Sequence, residues 1–289
     1  MRHNILLITA MFFWGANWTS TKILTEFASA ATINTLRFTI VSFLFLGLLL
    51  WQKTSFRISK KDTALIFLST LIMATYHTLF IKGVSTGLAG SGGVLVTTTN
   101  PIITFVLVAL LYQKRFQKKE ILGLILGLIS AILFLKLWQF DLSELAVSGT
   151  FHFLTASLLW ACTTVLREKI DAPAILYIFY LFLPIPFMFA FGVSPTEIQS
   201  LSSLGPLFWG NLLYLSTFGT VFSTTAFFYY AKVKGPKAAS SFIFIVPTFA
   251  MLIAMIFLRE PLVWTTIAGG ITALLSVYII NKPSKKLTP

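Results

Sequence analysis

Apolar residues run in stretches of about 20, the length a helix needs to cross a bilayer. They fall near 5–24, 31–51, 63–82, 91–112 and 120–138, and again near 148–167, 174–193, 205–230, 238–258 and 262–281. Short polar turns separate them and hold most of the charge. This pattern predicts an all-α polytopic membrane protein with ten transmembrane helices. It also repeats: Trp14 and Trp160, Pro101 and Pro247, Gly123 and Gly269, Leu128 and Leu274, and Ser130 and Ser276 are identical pairs at one spacing of 146 residues. The expected units are a first five-helix repeat (1–138), a linker (139–147), a second repeat (148–282) and a tail (283–289). Because five spans is an odd number, the second repeat enters the membrane upside down, giving two inverted five-helix repeats.

The placement of charge assigns an orientation. Of the 22 basic residues, 17 fall in alternate turns or at the termini: Arg2; Lys53, Arg57, Lys60, Lys61; Lys114, Arg115, Lys118, Lys119; Arg167, Lys169; Lys232, Lys234, Lys237; and Lys282, Lys285, Lys286. The other turns carry mainly Glu26, Asp141, Glu144 and Glu197. By the positive-inside rule both termini are cytoplasmic, in a bacterial inner (plasma) membrane. The net charge of +13 is therefore a topology signal and does not call for nucleic acid. Composition agrees: the chain is 56% hydrophobic and 11% charged, with mean hydropathy +0.86, against about 25% charged in soluble domains. The stretch at 5–24 has no small-residue cleavage site and reads as an anchor. The lone Cys162 excludes an intrachain disulfide and a cysteine-built metal site; no metal and no cofactor are expected.

Polar and aromatic residues inside the spans are the candidate chemistry, since polar atoms facing lipid are costly. Trp14, Asn17 and Trp18 share one helical face that continues to Lys22, and the second repeat answers with Trp160, Thr163 and Thr164. Span 3 offers Tyr76, His77 and Phe80; span 8 offers Ser223 and Phe227; Asn100 stands where the second repeat has Val246. Arg37, about two turns into span 2, is an intramembrane cation that would hold a carboxylate or phosphate, or else latch an outer gate by pairing with Glu260. Pro101 and Pro247 each free the carbonyl four residues earlier, of Thr97 and Ile243, and are expected to act as hinges at a midplane site. Gly123 with Gly127, matched by Gly269 with Ala273, gives small faces that pack helices closely.

The run Trp14-Gly15-Ala16-Asn17 leading to Lys22, then Leu36-Arg37-Phe38, and later Pro247 followed by Leu258-Arg259-Glu260-Pro261-Leu262, resembles EamA-type members of the drug/metabolite transporter superfamily over nearly the whole chain. The first repeat has Gln113-Lys114-Arg115-Phe116 where the second keeps Glu260, so the acid has no role there. The resemblance implies a ten-helix exporter or exchanger of small metabolites with a central cavity between the halves, spans 5 and 10 lying at the periphery.

Deep acids are nearly absent, which favours exchange or downhill export over strong ion coupling. The expected substrate is an amino acid or related carboxylate-bearing compound; a nucleoside-containing metabolite such as S-adenosylmethionine is the alternative. The expected partners are that small molecule and the lipid bilayer, with no nucleic acid, and the chain is a monomer or a homodimer. An intramembrane enzyme fits less well. Ala89-Gly90-Ser91-Gly92 only approaches a rhomboid-type serine motif, and its sole downstream histidine, His152, lies near a membrane surface. A channel is less economical than kinked repeats that alternate access.

Overall fold

Some helices open on side chains that close the orphan backbone groups of the first turn. The computed structural model describes residues 2–86, 89–113, 115–139, 149–258 and 263–282. The first half holds α1 (Arg2–Thr25), α2 (Ala30–Trp51), α3 (Lys60–Thr86), α4 (Ala89–Tyr112) and α5 (Lys118–Leu135). Ser29 caps α2, its hydroxyl accepting from Thr32 N, and α5 opens with a capping box between Gln117 and Glu120. In the second half follow α6 (Thr150–Leu166), α7 (Ala174–Phe182), α8 (Ile185–Ala190) and α9 (Pro195–Ser200). Next come α10 (Pro206–Tyr214), a π-helix (Leu215–Phe222) and α11 (Ser223–Lys234), which continue one another; then α12 (Pro236–Ser241), a 3-10 turn (Phe242–Ile245) and α13 (Val246–Leu258); and finally α14 (Trp264–Asn281). Gly235, at φ +90°, makes the reversal between α11 and α12 in one residue.

Each apolar stretch of the sequence coincides with one of these helices or one run of pieces. Among the described residues, five helices are each long and apolar enough to cross a bilayer alone, and Ala174–Ala190 with Pro195–Ser203, bent by 108°, would add a sixth. Threonines and serines such as Thr39, Ser42, Thr78 and Thr104 return their hydroxyls to the carbonyl four residues back, which keeps them satisfied inside apolar helices.

Packing follows the repeat. Helix α1 packs mainly on the α10–α11 and α12–α13 runs, and its counterpart α6 packs on α3 and α4. The first helix of each half is thus inserted into the other half, so neither half folds around a core of its own. Helices α5 and α14 pair with each other: Ser130 Oγ donates to Gly269 O at 2.7 Å, and Ser276 Oγ to Gly123 O at 2.6 Å. Phe134 lies on Gly269, and Ile280 on Gly123, in the same exchanged relation. The small-residue face is therefore used within the chain, because without a side chain at Gly123 or Gly127 room is left for Ile280 and Phe244.

The basic turns meet at one end. Asp171 bridges Lys61 at 3.3 Å and Lys232 at 3.1 Å, Glu120 pairs with Lys237 at 2.9 Å, and Lys119 Nζ donates to Lys282 O. At the other end Glu197 accepts from Ser29 N at 2.7 Å and Ser29 Oγ at 3.1 Å. Helix α2 thus runs toward the basic end and its counterpart α7 runs away from it, the antiparallel relation that inverted repeats require.

Candidate functional site

Where the two halves meet, a cavity of about 70 Å³ lies among α1, α2, α3, α4, α6, the π-helix, α11, the 3-10 turn and α13. It is small beside the roughly 300–1,000 Å³ of ordinary small-molecule pockets. Trp14, Asn17 and Trp18 reach it from α1, Arg37 from α2, Tyr76, His77 and Phe80 from α3, Asn100 from α4, and Trp160 from α6. Thr97 and Ile243, the residues four before Pro101 and Pro247, also line it. Pro101 lies inside an unbroken α4, whereas Pro247 follows the 3-10 turn, so the two prolines have different local settings.

Aromatic rings form one wall. Trp14 and Trp160 meet edge to face at 5.1 Å, Tyr76 lies 5.1 Å from Trp160, and Trp18 lies 4.9 Å from Phe80. Phe227 packs on both tryptophans, at 5.2 and 5.6 Å, from behind the cavity lining.

The polar wall is built around the π-helix. Arg37 is buried and donates from Nε (3.0 Å) and Nη2 (2.6 Å) to Thr220 Oγ1, while Thr220 Oγ1 donates to Leu215 O. Among the described residues no carboxylate stands within ion-pair distance of Arg37. Trp14 Nε1 donates to Gly219 O at 2.9 Å, and any side chain at Gly219 would overlap Asn17. Asn100 Nδ2 donates to Ser157 O at 3.0 Å, which leaves Asn100 Oδ1 buried and unpartnered. Asn17 Oδ1, Trp160 Nε1 and both nitrogens of His77 are likewise buried with no partner among the described residues. Each such atom costs about 1–3 kcal/mol until something pairs with it. The wall therefore offers two amide oxygens, one indole N–H, an imidazole and a guanidinium to whatever occupies the cavity.

Several residues expected at the site stand elsewhere. Lys22 donates to Val84 O at 3.2 Å and does not line the cavity. Thr163, Thr164 and Ser223 return their hydroxyls to Leu159 O, Trp160 O and Phe218 O, carbonyls of their own helical run, and face away from the lining. Glu260, the expected gate partner of Arg37, and Lys114 lie outside the described residues. Conversely, Gly219, Leu215 and Thr220 were not anticipated. Their only trace in sequence is the small and hydroxylated run Ser216-Thr217-Phe218-Gly219-Thr220, and π-turns concentrate at functional sites. Asn34, one turn before Arg37, is fully buried with neither amide atom paired among the described residues.

Comparison with known proteins fits this architecture. A profile of the EamA-like transporter family matches residues 1–136 and again 147–282. An uncharacterized transporter of Archaeoglobus fulgidus is 26% identical over 97% of this chain and 99% of its own length. The uncharacterized transporter YvbV of Bacillus subtilis is 26% identical over 98% of this chain and 93% of its own, and a chloroplastic WAT1-related protein of Arabidopsis thaliana is 24% identical over 96% and 69%. One crystal structure superposes with a TM-score of 0.78 over 97% of this chain and 98% of that one, at 14% identity, which is a likeness of fold.

Proposed function

This chain belongs to the EamA-like transporter family, and from that premise we propose that it is a secondary transporter of amino acids or related carboxylate-bearing metabolites. It works as an exchanger or exporter by alternating access across a bacterial inner membrane. Ten spans in two inverted repeats move about the central cavity, with both termini on the cytoplasmic, basic side. The observation that carries this reading is Arg37, a buried guanidinium at the cavity wall whose side-chain hydrogen bonds, among the described residues, go to the Thr220 hydroxyl. A cation in a membrane interior is costly unless paired, and a carboxylate gives it short charge-assisted hydrogen bonds. Asn17 Oδ1 and Asn100 Oδ1 supply acceptors suited to an ammonium group of the same substrate. The aromatic wall takes an apolar or flat remainder.

Among the described residues no Asp or Glu lines the cavity, which supports exchange or downhill export. The Asp171 bridges at one end and the Glu197–Ser29 contact at the other serve as the two closures that open in turn. The aromatic wall would also stack a nucleoside base, but the tight cavity favours the smaller substrate.

Counterflow in proteoliposomes, with a panel of amino acids, their decarboxylated amines and nucleosides, tests the reading. Labelled amino acid should accumulate only against a preloaded partner. Transport of the amines with none of the amino acids would overturn it, and unitary currents in a voltage-clamped bilayer would exclude a carrier.

A further inference from the structure

A second opening, of about 970 Å³, lies on the outer face of the molecule between α2, the start of α7 and the π-helix with α11. Its lining is almost wholly apolar, and Phe43 and Phe218 stand at its edge 70% and 48% exposed. Along α2 it extends from Phe43 to Gln52, about 14 Å at 1.5 Å per residue. That is about half of the roughly 30 Å hydrocarbon core, one leaflet. It ends at the basic side of the molecule: Gln52 precedes the exposed Lys53, and Tyr229, bonded to His3 at 3.2 Å, precedes the exposed Lys234.

We propose that this groove is a lipid site, holding one acyl chain of an anionic phospholipid from the basic-side leaflet. A groove of one leaflet's depth, open to hydrocarbon, takes a chain; the lysines at its mouth select the headgroup. The occupant also touches the transport machinery. Thr217, Val221 and Phe222 of the π-helix form its inner wall, while Leu215 and Gly219 of the same helix line the central cavity and Thr220 holds Arg37. A chain in the groove therefore braces the element that positions Arg37, and emptying it loosens that element. Gly47 gives access to this without damage, because it lines the groove and a side chain added there meets open space.

Native mass spectrometry of the full chain, purified from membranes containing phosphatidylglycerol and phosphatidylethanolamine with matched chains, provides the test. Wild type should retain one phospholipid more than Gly47→Phe, with phosphatidylglycerol preferred, and both should elute as one sharp species. Equal retention by the two overturns the proposal. Lys53→Gln should keep the lipid and lose the preference; an unchanged preference overturns the headgroup assignment. An electron cryomicroscopy map of the wild type in lipid nanodiscs should show chain density beside Gly47, and an empty groove there overturns the proposal independently of any variant. None of these measurements depends on the identity of the transported substrate.

Discussion

Trp14 and Trp160 are identical residues 146 positions apart, and their indoles meet edge to face at 5.1 Å and 86°. Their N–H groups have different fates: Trp14 Nε1 donates to Gly219 O, whereas Trp160 Nε1 is buried with no partner among the described residues. Trp14→Phe should therefore act on stability, leaving the Gly219 carbonyl unpaired at a cost of about 1–3 kcal/mol. Trp160→Phe should leave the melting temperature nearly unchanged and weaken substrate binding about 3- to 10-fold, the value of one hydrogen bond. Thermal unfolding and a substrate titration on both variants separate the two roles.

Arg37→Gln should remove the guanidinium and lower counterflow of carboxylate substrates at least about tenfold, since charge-assisted bonds contribute about 1.5–3 kcal/mol. Thr220→Val should have a smaller effect of the same kind, because the arginine keeps its charge and loses its positioning partner. Equal uptake by wild type and Arg37→Gln would remove the basis for a carboxylate substrate.

The α5–α14 seam makes a symmetric prediction. Ser130→Ala and Ser276→Ala each delete one of two exchanged hydrogen bonds and should each cost about 0.6 kcal/mol, up to about 1.7, the range measured for bonds between membrane helices. Gly123→Leu should be far more damaging, because its side chain overlaps Ile280. Unfolding in mixed micelles gives the ranking, and a benign Gly123→Leu would count against the close packing.

The two prolines should no longer be equivalent. Pro247 adjoins an existing 3-10 turn, so Pro247→Ala leaves a break in place, whereas Pro101→Ala restores a hydrogen bond to the Thr97 carbonyl in a continuous helix. Pro101→Ala should slow transport more, with expression and melting unchanged. Equal slowing would restore symmetric hinges.

Glu197 supplies a pH dependence. Burial alone would raise its carboxyl, but hydrogen bonds from Ser29 N–H, the Ser29 hydroxyl and Ser194 N–H hold it below the usual carboxylate value. With the folded value depressed, its stabilising contribution is complete above the unfolded value of about 4.3 and is lost as pH falls through the folded value. Wild-type melting should drop across that acid range and Glu197→Gln should drop less; parallel curves would assign the acid loss to other groups.

The helices, the duplication and the common end of the basic turns were legible because each has a one-dimensional signature: runs of about 20 apolar residues, a fixed spacing, and charge confined to alternate turns. The aromatic stripe of α1 was legible for the same reason, since the 3, 4 spacing of Trp14, Asn17 and Trp18 places them on one face. Hydroxyl residues defeated the same reasoning. Thr163 and Thr164 are on the expected helix, yet a carbonyl four residues back is always within reach, and their hydroxyls take it. Lys22 was misleading because its long stem lets the ammonium reach Val84 O on α3.

From sequence alone came the all-helical membrane class, two related halves and their relative direction, all consequences of periodicity and charge along the chain. Tertiary structure decided which polar groups remain free. The π-turn around Gly219 exists where Trp14, Asn17 and Arg37 converge on one strip of backbone from two other helices. That convergence joins residues about 200 positions apart, a relation no local pattern encodes. It gives two identical tryptophans different fates, leaves Arg37 at the cavity wall, and sets the central cavity and the apolar groove on opposite sides of the π-helix.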